Sequence, residues 1–156
     1  MLHTIKTRQL IKSDLSSIWS FMSDPGNLAR ITPAYLGFKI LSEDTGRGMH
    51  AGQIIEYYVR PLLGIKLHWV TEITHVEQGK LFVDEQRFGP YSFWHHKHFL
   101  EETQEGVIMT DLVHYKLPLG PLGKLANTLF VKRQLDGIFR YRYQQVEQWF
   151  TGPITN

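Results

Sequence analysis

Between Tyr35 and Leu117 apolar residues recur every second position, and on either side of that stretch they recur at steps of three and four. Period two predicts strands with one buried face, and steps of three and four predict amphipathic helix. Glycine and proline at Gly46, Gly48, Gly52, Pro61, Gly64, Gly79, Gly89-Pro90 and Gly106 divide the central stretch into six strands, near 36 to 43, 53 to 60, 66 to 77, 80 to 88, 93 to 102 and 107 to 117. Their short connections predict an antiparallel meander. Residues 2 to 12 read as a first strand. Ser13-Asp14 then caps a helix whose Leu15, Ile18, Trp19 and Met22 share one face, and Asp24-Pro25 to Thr32-Pro33 brackets a second short helix. After Pro118-Leu119-Gly120-Pro121, residues 122 to 150 form a long helix with a stripe of Leu125, Leu129, Leu135, Ile138, Arg142, Val146 and Trp149, given one loose step near Val131. Its length is about 40 Å at the helical rise per residue.

This order predicts an α+β fold: a seven-stranded curved antiparallel sheet wrapped around one long C-terminal helix, with two short helices after the first strand closing one end. The sheet has one face to bury and the helix one stripe, so the helix lies across the concave face. We read residues 1–156 as one domain, since a chain of this length buries a sizeable core without disulfides.

The more apolar parity of each strand is taken as inward. In the seventh strand Val107, Met109, Val113, Tyr115 and Leu117 point in, and Asp111 points in with them. A buried carboxylate needs a partner. The sixth strand offers Trp94, His96, His98 and Leu100. A turn over Thr103-Gln104-Glu105-Gly106 pairs Glu102 with Val107, which sets His98 opposite Asp111, His96 opposite Val113 and Trp94 opposite Tyr115. The fifth strand brings Asp84 or Gln86 beside His98. The expected result is a polar row inside a wall of Tyr57, Trp69, Trp94 and Tyr115, while His95 and His114 face each other outside the sheet.

Composition narrows the setting. There is no cysteine, which removes disulfides and thiolate chemistry and fits a reducing compartment, and the first twelve residues lack the apolar core of a signal peptide. No stretch approaches the roughly 20 apolar residues of a membrane span. The cytoplasm is the expected location. A formal charge of +2 is too small to imply a nucleic-acid partner. Aromatic residues make up 13% of the chain, and such side chains often line pockets.

The run Asp84-x-Gln86-x-x-Gly89-Pro90-Tyr91-x-x-Trp94-x-His96-x-His98, then Met109-x-Asp111-x-Val113-x-Tyr115-x-Leu117-Pro118-x-Gly120, then Leu135-x-x-Ile138-Phe139-x-Tyr141-Arg142, resembles the START-related (SRPBCC) ligand-binding superfamily. That superfamily includes the birch-pollen-allergen type and the polyketide cyclase/dehydrase proteins. The likeness covers nearly the whole chain and is greatest to small bacterial cyclase/dehydrase-like and cell-division-inhibitor-like members. It implies a helix-grip fold around a cavity used for lipids, sterols, quinones or polyketides, and it supplies no reaction.

Candidate ligand-binding residues are therefore Tyr57, Trp69, Asp84, Gln86, Trp94, His96, His98, Asp111, Tyr115, Leu135, Phe139 and Arg142. The polar row reads first as a buried network that fixes strand register. The sharper reading makes His98 or His96 a catalytic acid/base with Asp111 orienting it. His96, His98 and Asp111 are also ligand types for zinc or iron, but the chain shows no fourth ligand, and neither a metal nor a cofactor is expected. Gly46-x-Gly48-x-x-x-Gly52 leads into a strand and reads as a turn, not a dinucleotide loop. Arg142 pairs with an inward carboxylate, with an anionic ligand group, or with a surface acid. Leu117 to Val131 forms a mobile gate, a transient membrane-docking lip beside Lys124, Lys132 and Arg133, or plain packing at the helix start. Within it, Gly120→Ala should cost stability if that glycine has positive φ, and Gly123→Ala should cost little.

Three functions follow in order: binding or carrying a small hydrophobic ligand with one polar end; a cyclase or dehydratase; and a regulatory interaction protein with an incidental cavity. A cavity of several hundred Å3 would favour the first two.

Overall fold

Period-two alternation becomes strand almost throughout. The computed structural model describes residues 1–42, 48–61 and 64–152. Seven strands are present: β1 His3–Ile11, β2 Lys39–Ile40, β3 Ile54–Val59, β4 Leu67–Glu77, β5 Leu81–Phe88, β6 Phe93–Thr103 and β7 Gly106–Lys116. They form one sheet in the order β1-β7-β6-β5-β4-β3-β2, with every neighbouring pair antiparallel. β2 is much shorter than expected. Ala34–Leu36 makes a 3-10 turn and Gly37 takes φ 53°, so the chain turns before it can pair, and Leu41 N and Ser42 N then share the Glu56 carbonyl. Residue 43 of the expected strand and Gly46 lie outside the described residues, as does the side chain of Lys124.

Two short helices follow β1: α1, Leu15–Met22, and the single turn α2, Pro25–Leu28. Asp14 caps α1 by accepting from Ser17 N at 2.8 Å, and Asp24 caps α2 through Gly26 N. The C-terminal helix is α3, Gly120–Ala126, a wide five-residue π turn over Asn127–Val131, and α4, Lys132–Thr151. The π turn inserts one residue into the helical phase, which is why the apolar stripe needs a loose step near Val131. It is anchored: Asn127 is buried, accepts from Tyr115 Oη at 2.8 Å and meets His3 Nδ1 at 3.3 Å.

α4 lies across the concave face, as the stripe predicted. Val146 packs with Phe82, Leu100 and Met109 at the end closed by α1, and Leu135 and Phe139 pack with Val113 and Tyr115. A third group of buried residues, Leu36, Ile55, Tyr57, Val59, Trp69 and Ile73, lies under β3 and β4. Two register shifts in the β4·β5 pair, at Val70/Thr71 and Ile73/His75, bend the sheet. The first leaves Arg87 unmatched, so Gln86 pairs with buried Thr71 while Phe88 turns out beside His68.

The β6–β7 hairpin has the expected register, with Glu102 opposite Val107 and His98 opposite Asp111. Gly106 has φ 135°, and a Cβ there would run into the Ile11 carbonyl of β1. Among the described residues no helix is long and apolar enough to cross a membrane.

Candidate ligand cavity

Between α4 and the concave face, beneath α1 and α2, the chain forms a partly open cavity of about 190 Å3. That is below the several hundred Å3 that would by itself favour a ligand site over an incidental cavity, and it is near the size that admits a single benzene ring. Its walls are mainly apolar and aromatic, with Tyr57 stacked on Trp69, and Trp94 and Tyr91 edge-on to Trp69. At one side the wall becomes polar: Asp84, His96, His98 and Arg142 border the space, with Thr71 nearby holding Tyr57 Oη at 3.1 Å.

Strand alternation assembles this polar group. His96 and His98 project inward two residues apart on β6, Asp84 enters from β5 opposite His96, and Asp111 enters from β7 opposite His98. His98 Nε2 hydrogen-bonds Asp84 Oδ2 at 2.7 Å, and His96 Nε2 bonds Asp111 Oδ1 at 2.9 Å. The pairing is thus crossed relative to the register. His98 Nδ1 lies 2.9 Å from Asp111 Oδ1 but without hydrogen-bond alignment, so the expected direct bond between these two is replaced by a contact. The two imidazoles stack 3.7 Å apart, and Phe82 covers the other face of His98 at 4.0 Å.

Rings this close do not both carry a proton readily. Burial pushes His96 down, and the neighbouring His98 adds to that against the pull of Asp84 and Asp111. Burial opposes the charge on His98 too, but the Asp111 contact and the Asp84 hydrogen bond outweigh it and raise its pKa. Burial works to raise both carboxyls; His96, His98 and Arg142 overcome it and hold Asp84 below, and Asp111 well below, the ordinary carboxylate range. The consistent state has two carboxylates, protonated His98, neutral His96 and cationic Arg142, which sums to zero. Burial also pushes the Tyr57 and Tyr91 phenols up, keeping them neutral.

Of the residues chosen from the sequence, Tyr57, Trp69, Asp84, Trp94, His96, His98, Leu135, Phe139 and Arg142 border the cavity. Gln86, Asp111 and Tyr115 do not. Gln86 is used up by the loop after β5, donating to Tyr91 O at 2.6 Å and accepting from Tyr91 N at 3.1 Å. Asp111 is 2% exposed and lies behind the histidines, and Tyr115 is turned to Asn127. Arg142 is not on the surface: its side chain is 12% exposed and faces Asp111 Oδ1 at 3.8 Å. The sequence reading missed Tyr91, Thr71 and the contribution of Phe21 and Met22 from α1, Leu28 from α2 and Ile31 just after it. Tyr91 sits in a loop without periodicity, and where the end helices land depends on tertiary packing.

Asp84, His96 and His98 also offer donor atoms within 4.8 Å of one another, a set chemically suited to a divalent cation. In the folded chain these atoms are spent on each other, and the Arg142 guanidinium adds a positive charge beside them.

Compared by structure, the chain superposes on a Chromobacterium violaceum protein with TM-score 0.72 at 14% identity, covering 96% of this chain and 99% of that one. It superposes on the major latex-like protein 151 of Panax ginseng with TM-score 0.69 at 13% identity, covering 96% and 98%. The Zhui aromatase/cyclase from a Streptomyces species gives TM-score 0.70 at 10% identity, covering 97% and 98%. Compared by sequence, the chain matches no family model and no curated protein. The structure is thus a helix-grip fold of the kind that the latex-like protein and the aromatase/cyclase share, and at these identities the likeness is one of fold.

Proposed function

We propose that the protein binds or carries a small, largely apolar ligand with one polar end. The carrying observation is the partly open cavity of about 190 Å3 whose aromatic wall gives way on one side to Asp84, His96, His98 and Arg142. Apolar pockets with a few convergent polar groups are the usual form of small-molecule sites. The volume favours a molecule of one or two rings over a lipid or sterol. We assign the protein to the cytoplasm as a single domain, on its zero cysteines and its composition. Native mass spectrometry of freshly purified protein tests the reading: a co-purifying small molecule, released on denaturation, supports it. Protein that flies empty and takes up no aromatic probe would end it.

A second reading, a cyclase or dehydratase, draws on the aromatase/cyclase among the fold neighbours and on His98 held between two carboxylates. His98 would act as general acid, with Asp111 orienting the pair from behind. In that case His98→Gln retains the ligand but stops its conversion; in a carrier the same ligand leaves unchanged from both proteins.

The ligand's route passes the start of the long helix. Leu119, Leu122, Leu125, Leu129 and Phe130 are each more than half exposed, which disfavours plain packing for these five. Leu129, Phe130, Tyr35 and Arg133 border an outer groove that meets the cavity at Pro61, and Arg60 borders it too. We read this lip as docking transiently on anionic bilayers, where apolar ligands partition.

A further inference from the structure

A charged hydrogen-bond donor on the cavity wall, Arg142, has no hydrogen-bond acceptor among the described residues. Arg142 brings five N–H groups into a nearly buried position. Its side chain makes no hydrogen bond among the described residues, and its ion-pair contact with Asp111 Oδ1 is a loose 3.8 Å. A largely buried guanidinium without hydrogen-bond partners is costly, so a wall that keeps one is suited to meet an acceptor from elsewhere.

The carboxylates take their hydrogen bonds from the imidazoles, and Arg142 adds its charge without a hydrogen bond. Asp84 Oδ2 has His98 Nε2 at 2.7 Å and His96 Nδ1 at 3.4 Å. Asp111 Oδ1 has His96 Nε2 at 2.9 Å and His98 Nδ1 at 2.9 Å, and its other oxygen meets Thr7 Oγ1 at 3.4 Å. Each acid is already surrounded by imidazole nitrogens, and the planar guanidinium fork, suited to bidentate binding of a carboxylate, is left over. The Phe139 ring lies beside it, with its centroid 5.9 Å from the guanidinium carbon.

Resting on the reading of the cavity as a ligand site, we propose that its ligand is an aromatic acid of one or two rings, with its carboxylate received by Arg142 and its ring between Trp69, Trp94 and Tyr57. The size limit comes from the 190 Å3 of space, and the aromatic character from the edge-on and stacked rings that line it.

The test compares 2-naphthoate with 2-naphthamide, which has the same shape without the charge, by titration against the wild-type protein and the Arg142→Lys and Arg142→Met variants. The expected result is that naphthoate binds wild type about tenfold tighter or more, the range of hydrogen bonds to a charged group. Arg142→Lys keeps part of that preference and Arg142→Met loses it. Equal binding of the two probes to wild type overturns the acid assignment and leaves the apolar-ligand reading standing. Binding of neither probe overturns both. The wild-type comparison stands even if Arg142→Met fails to fold.

Discussion

The floor of the cavity and the lip beside it break the ordinary rule of burial in opposite directions. The floor buries polar and charged groups: His96, His98 and Asp111 are 4%, 2% and 2% exposed. The lip exposes apolar side chains, with Leu119 at 75%, Leu122 at 67% and Phe130 at 61%. Scattered exposed leucines need no explanation, but buried ions and clustered exposed hydrophobics do. The floor is stabilised internally, each acid by two imidazoles, so its cost is met by the fold itself. Nothing among the described residues covers the lip. One region therefore couples to stability and the other to encounter.

The largest test of that contrast removes a charge from the floor. Asp111→Asn leaves His98 and Arg142 without their shared counter-ion and should destabilise the protein by about 3–5 kcal/mol, read from the urea midpoint. A loss of less than 1 kcal/mol would mean that the floor is not an ionic network.

Smaller effects belong to the hinge between the regions. Leu119 and Gly120 have φ of 67° and 50°, so Gly120→Ala should cost about 1–2 kcal/mol. From the sequence, Gly123 reads as the harmless neighbour. The structure reverses that expectation, because a Cβ on Gly123 would collide with the Pro118 carbonyl. Gly123→Ala should cost about 1–3 kcal/mol, and thermal melts of the two variants rank them.

The floor also predicts a pH optimum. His96 is lowered from 6.5, so as pH falls below 6.5 the unfolded chain takes a proton that the folded one refuses, and stability declines. His98 is raised from 6.5, so its contribution is full below 6.5 and is lost as pH rises through its folded value. The carboxylates lose theirs as pH falls below 3.8. Stability should peak close to pH 6.5, and His98→Gln should remove the decline on the alkaline side. A wild-type profile flat from pH 5 to 8 would contradict the proton assignment.

Lip substitutions should move stability least. Leu122→Ser with Phe130→Ser is expected to shift it by no more than about 0.5 kcal/mol while reducing co-sedimentation with anionic vesicles. Unchanged sedimentation would remove the bilayer as the lip's partner.

Most of this arrangement was legible in the sequence because strand parity is strict. Once a four-residue turn placed Glu102 opposite Val107, His98, Asp111, His96, Trp94 and Tyr115 followed by counting. What was not legible depended on departures from regular period. The bulge at Arg87 turned Phe88 out, Gln86 closed its own loop onto Tyr91, and Tyr115 was claimed by Asn127 on the π turn. The crossed bonding, His98 to Asp84 and His96 to Asp111, depends on rotamers that no pattern specifies. The residues at the end of the cavity, Phe21 and Met22 of α1 and Ile31 after α2, likewise reach it only through tertiary packing.

The central claim is that a ring-bearing ligand occupies this space, and the chain carries its own reporters. It has four tryptophans, of which Trp69 and Trp94 border the cavity. Trp19 packs on Phe82 at the α1 end, and Trp149 is exposed beside Phe21. In a nitrogen–proton NMR spectrum during titration with 2-naphthoate, the Trp69 indole signal should move most, Trp94 should follow, and Trp149 should stay fixed. A spectrum in which Trp149 alone moves, or in which all four stay fixed at saturating probe, would contradict the account.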